Sequence, residues 1–152
     1  MGSEFIQYYL NFAQIRIPDW QHITLSVQRS EMPHPLIGKP APPLTLPSTP
    51  DGTPYTLPIG QKPIAIFFFP KAFTTGCTKE ACAFRDAKKD NIVFQGTGSD
   101  ELEVVGISRD AVEKQTRFVD EHKLNYRILS DPNGAARKSY SVSKAALGLI
   151  DG

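Results

Sequence analysis

Cys77 and Cys82, the only two cysteines in a chain of 152 residues, stand five positions apart just after a short and strongly apolar run. Two thiols are too few for a disulfide framework, and a domain of this length does not need one, so their interest is chemical. A thiol in the first turn of a helix sees unpaired backbone N–H groups and the positive end of the helix dipole, both of which favour the reactive thiolate. The preceding loop, Pro70-Lys71-Ala72-Phe73-Thr74-Thr75-Gly76, supplies hydroxyls, a cation and a glycine that lets a ligand approach the backbone. In a continuous helix, residues five apart differ by about 7.5 Å along the axis and about 140° around it, leaving Cα atoms roughly 8.6 Å apart. A disulfide requires less than about 7 Å. The two cysteines can therefore bond if the first turns unravel, but not while the helix is intact. That suits a nucleophile oxidised to a sulfenic acid and then trapped by a second thiol. The plainer alternative is that Cys77 is a small buried residue, the usual fate of a free cysteine. Zinc is disfavoured, because His22, His34 and His122 fall in other segments and C-x4-C is not a recognised zinc spacing. A C-x-x-C exchanger is excluded by the spacing itself.

The elements that must position these thiols follow from the surrounding pattern. Ile64 to Phe69 is a continuous apolar run of strand length, expected to be buried on both faces in the middle of a sheet. Pro70 ends it, Thr74 or Thr75 can cap, and Cys77 to Lys89 reads as a helix. Glu103 to Ser108 is a second buried strand, Val112 to Leu124 an amphipathic helix, Arg127 to Ser130 a third strand and Ala135 to Tyr140 a short helix. This alternation predicts an α/β fold with a parallel sheet and right-handed crossovers. Upstream, Leu44–Pro47 and Pro54–Leu57 around the Asp51-Gly52 turn predict a hairpin, weakened by its prolines. Open α/β sheets place their chemistry at the carboxyl ends of strands, where Cys77 falls.

Seventeen Lys and Arg against sixteen Asp and Glu give a net charge of +1, with no basic excess to recognise nucleic acid or an anionic membrane. Hydrophobic residues at 40% support one folded domain, and no apolar run approaches the roughly 18 residues of a spanning helix. Residues 1–5 read as a remnant of cloning. Residues 6–31 show no sustained period and no clear targeting pattern. The domain is expected over 32–152, with Met32 as a candidate native start. Two reactive thiols without an export signal favour the cytoplasm, leaving nucleus and organelle open.

The run from Phe69 to Asp86 resembles the active-site segment of peroxiredoxins, in particular the peroxiredoxin Q or bacterioferritin comigratory protein class. It carries the P-x-x-x-T-x-x-C pattern as Pro70, Thr74 and Cys77, with the second cysteine five residues on. Gly38–Pro42, Asp51-Gly52, Val104–Asp110 and Leu129–Pro132 extend the similarity. The resemblance implies a thioredoxin-like fold and a peroxidase acting on hydrogen peroxide and alkyl hydroperoxides without metal or organic cofactor. It implies Cys77 as the peroxidatic thiol, Thr74 as a ligand of the peroxide, Pro70 as a shield from water and Cys82 as the resolving thiol. Thioredoxin or a similar dithiol would reduce the disulfide. Glu80 matches an acidic residue of the family site, with a solvated helix position as the alternative. Arg85 and Asp86 read as a structural pair.

Several positions depart from the pattern. Thr75 stands where many relatives have Pro, and Ser141 where glycine is often seen. The chain ends at a segment beyond which the family continues into further strands and a helix, with an active-site arginine at their start. None of Arg109, Arg117, Arg127 and Arg137 matches that arginine, so a less stabilised thiolate and an open sheet face are expected. A monomer is expected, with self-association through that face as the alternative. The rival functions are an impaired redox-sensing or interaction module and a general thiol-disulfide oxidoreductase.

Overall fold

The computed structural model describes residues 34–94, 96 and 101–142; the readings for residues 1–33 and 143–152 lie outside them. Strand β1 (Thr45–Pro47) pairs antiparallel with β2 (Pro54–Thr56), forming the expected hairpin. Three strands form a parallel sheet in the order β3 (Ile64–Phe68), β4 (Glu103–Ser108), β5 (Arg127–Ser130). Helix α1 (Thr75–Asp90) follows β3, α2 (Val112–His122) follows β4 and α3 (Ala135–Ser139) follows β5.

Alternating side chains build two apolar layers on the sheet. Phe67, Phe69, Val104 and Ile128 face a cluster that contains Ala81 and Cys77 of α1 and Phe118 of α2. Ile66, Val105, Ile107 and Leu129 face the other, with Leu44 and Leu57 beside the hairpin and Ala136 and Tyr140 at α3. Both faces are covered, so β4 is buried at every residue. The hairpin is tied to the β5 edge by a Ser48–Leu129 bridge, and Thr49 exchanges bonds with Ile128 through its amide (3.0 Å) and Oγ1 (3.2 Å).

One placement differs from the sequence reading. The aromatic run expected in the middle is β3, which among the described residues forms one side of the sheet with several positions only half-buried. Among the described residues the central strand is β4. A continuous apolar run reports coverage of both faces, not lateral position. Gly106 of β4 is closely packed: a Cβ there would come within 2.9 Å of the Phe67 ring.

Candidate active site

The loop between β3 and α1 is fastened from the neighbouring strand. Asp110, just past β4, accepts the Ala72 amide at 2.7 Å, accepts the Lys114 ammonium at 2.6 Å and meets Ser108 Oγ at 3.2 Å. Gln115, fully buried on α2, bridges Ser108 Oγ (2.9 Å) and the Leu129 carbonyl (3.1 Å), so the strand ends and the loop form one hydrogen-bonded unit. Phe73 holds φ at 69°, a left-handed conformation that bulky side chains rarely adopt. Its ring stands edge-on to Phe118 with centroids 5.2 Å apart, which holds this turn in place.

Cys77 lies in the first turns of α1, buried in the core cluster of Phe67, Phe69 and Ala72. Cys82 is half-buried on the same unbroken helix, and both thiols are free. Thr74 occupies the N-cap position, but its hydroxyl donates backward to the Lys71 carbonyl at 3.1 Å and does not cap the helix. Neither Thr74 nor Thr75 thus serves as the expected side-chain cap. The Thr74 bond instead tightens the loop that leads to the thiol. Pro70 is half-buried where β3 ends.

A cavity of about 280 Å³ opens at the carboxyl ends of the three strands, lined by Pro70, Lys71, Arg109, Asp110, Asp131 and Arg137 among others. Cys77 and Thr74 are not among its lining residues, so it adjoins the cysteine loop rather than enclosing the thiol. Arg109 reaches the Pro132 carbonyl at 3.5 Å, and Asp131 accepts the Ala135 and Arg137 amides at 2.8 and 3.1 Å. The roles of Asp110 and Phe73 escaped the sequence reading. Asp110 falls in the Val104–Asp110 segment, where nothing local marks its bond to Ala72, and a phenylalanine carries no local signal for positive φ.

Glu80 is half-buried on α1, and burial pushes its carboxyl up to about 7. Because the folded value lies above the ordinary 4.5, protonation favours the fold: the stabilisation is complete below about pH 4.5 and is lost as pH rises through about 7. Glu80→Gln is expected to flatten the decline in melting temperature across that window. Thermal melts at stepped pH check this, and an unchanged slope would contradict it. Arg85 and Asp86 do pair, with Nε to Oδ1 at 2.8 Å. Among the described residues no group of three His, Cys, Asp or Glu side chains is arranged to hold a metal ion. No helix there is long and apolar enough to cross a membrane.

The parallel sheet flanked by helices, with the cysteine-bearing α1 following β3, is a thioredoxin-like α/β fold, shared with solved peroxiredoxin structures. Residues 37–150 match the AhpC/TSA family, and the chain belongs to that family. Within it, the chain is of the peroxiredoxin Q/BCP class. It is 38% identical over 101 residues to a putative peroxiredoxin of Mycobacterium tuberculosis, covering 65% of this chain and 62% of the relative. To the chloroplastic peroxiredoxin Q of Sedum lineare it is 38% identical over 116 residues, covering 76% and 59%. The crystal structure of peroxidoxin BcpB from Mycobacterium tuberculosis superposes with a TM-score of 0.60 at 36% identity, covering 68% of this chain and 64% of that one. The chain thus spans about three fifths of the length of these relatives.

Proposed function

We propose that the chain is a thiol peroxidase in which Cys77 reduces hydrogen peroxide or an alkyl hydroperoxide and Cys82 resolves the product. The observation that carries this reading is the placement of both thiols on one helix, Cys77 buried in its first turns behind a loop fastened by Asp110 and Cys82 five residues on. The thiolate attacks one peroxide oxygen, forming an S–O bond as the O–O bond breaks, and the departing alkoxide or hydroxide takes up a proton. Backbone N–H groups at the start of α1 and the Thr74 hydroxyl, once turned from Lys71, stabilise the charge on the departing oxygen. Pro70 keeps bulk water from the thiolate. The Cys82 thiol then displaces hydroxide from the Cys77 sulfenic acid, giving a disulfide and water.

The disulfide is returned to two thiols by thioredoxin or a similar dithiol. The setting is a reducing compartment, most simply the cytoplasm, with no metal or organic cofactor. Peptide mapping after one equivalent of peroxide tests the scheme. A Cys77–Cys82 disulfide within one chain is expected, and two reduced thiols after exposure would count against it.

A further inference from the structure

Tyr126, which immediately precedes β5, reaches the helix segment that separates the two thiols. Its ring is buried and stands edge-on to Phe67 at 5.9 Å between centroids. Its hydroxyl donates to the Ala81 carbonyl at 2.7 Å, and Ala81 is the fully buried neighbour of Cys82. Burial, reinforced by charge on Cys82 and Glu80, holds the phenol protonated far above its ordinary range, so it remains a donor. Two more bonds fasten α1 just beyond Cys82: Arg85 donates to the His122 carbonyl at 2.8 Å, and the Asn125 amide donates to the Arg85 carbonyl at 3.3 Å. The start of α1 has no such aid, since it lacks a side-chain cap and has no acidic residue in its first turn.

We propose that Tyr126 is a positioning residue for the resolving step: its hydrogen bond to Ala81 latches α1 in the helical state and limits how fast Cys77 and Cys82 can meet. The inference rests on the peroxidase reading above. For the S–S bond to form, the Cα atoms must close from about 8.6 Å in the helix to less than about 7 Å, so backbone between the two residues must leave helical geometry. The Ala81 carbonyl lies inside that stretch. Its helical bond is an ordinary cost of unwinding, whereas the Tyr126 bond is an added tie from outside the helix. While the latch holds, the Cys77 sulfenic acid persists. A second peroxide can then oxidise it to the sulfinic acid, transferring one oxygen and leaving as the alcohol or water.

Tyr126→Phe keeps the ring in place and removes only the hydroxyl, while the Ala81 carbonyl retains its helical donor. The 152-residue chain and this variant are mixed with hydrogen peroxide, quenched in acid at intervals and resolved by intact mass into thiol, sulfenic, disulfide and sulfinic forms. Disulfide formation is expected to run about three- to tenfold faster in the variant, with the peroxide step unchanged to within about twofold and less sulfinic acid at high peroxide. A side chain with only a structural role would shift both steps together. Such a parallel shift, or disulfide formation at or below the unmodified rate, overturns the latch. If the unmodified chain forms no Cys77–Cys82 disulfide, the peroxidase reading itself fails, and the latch fails with it.

Discussion

Replacing Cys77 by serine is expected to lower the rate of peroxide consumption by at least about 10⁴-fold, the scale seen when an enzyme loses its nucleophile. A hydroxyl in the first turns of α1 gains the same dipole and N–H donors, but at neutral pH it does not become an anion and it forms no stable sulfenic product. Serine is close to cysteine in size, so the fold should be retained, with a loss of no more than about 1–3 kcal/mol for placing a hydroxyl in the apolar cluster around Cys77, far too little to account for the lost activity. Cys82→Ser should behave differently. Its first turnover should proceed at the unmodified rate and stop at the Cys77 sulfenic acid, which a dimedone-type label detects by mass, while recycling through the intramolecular disulfide is lost. Turnover in Cys77→Ser equal to that of the unmodified chain would remove the assignment of the nucleophile. Equal recycling in Cys82→Ser would transfer resolution to another thiol.

The largest effect on stability is expected at Phe118. This side chain is fully buried on α2, 6.0 Å from the Phe69 ring, 5.2 Å from the Phe73 ring and 4.8 Å from the His122 ring, all between centroids. Truncation to alanine deletes a ring from the centre of the α1/α2 layer, at a cost of about 3–5 kcal/mol. For a domain of this size that lowers the melting temperature by on the order of 10 °C. A second consequence follows from Phe73, which keeps its positive φ against the Phe118 ring. With the ring gone, the turn ahead of Cys77 loses a lateral support, and the peroxide step should slow even where the protein is still folded. Urea titration and rapid-mixing kinetics at low temperature measure the two effects separately. A loss below about 1 kcal/mol would show that the site repacks around the missing ring.

The parts of this molecule that were legible in the sequence are those governed by short-range pattern. Glu103–Ser108 and Arg127–Ser130 read as strands because they are short, β-branched-rich or apolar, and bounded by helical patterns or turn signals, and the parallel pairing follows from the helices between them. The thiol pair was legible because its spacing can be converted to a distance. Lateral order was not, since Ile64–Phe68 is as apolar as a central strand and yet forms one side of the described sheet. The capping of α1 was misjudged for a related reason: Thr74 has the right chemistry and position, but the Lys71 carbonyl competes for its hydroxyl. Contacts between distant residues left no local trace. Asp110 holds Ala72 across 38 positions and Tyr126 reaches Ala81 across 45, pairings that appear only once the residue past β4 meets the loop before α1 and the residue ahead of β5 meets α1 itself.

The most direct test of the account is the second-order rate constant for oxidation of Cys77 by hydrogen peroxide, compared between the folded chain and the same chain in urea with Cys82 replaced by serine in both. If the loop and the start of α1 activate the thiol, the folded protein should react faster by at least about 10²–10³-fold, the contribution expected of preorganised donors around a developing oxyanion. Equal rates in the two states would mean that the fold merely buries Cys77, and the peroxidase reading would fall with that result.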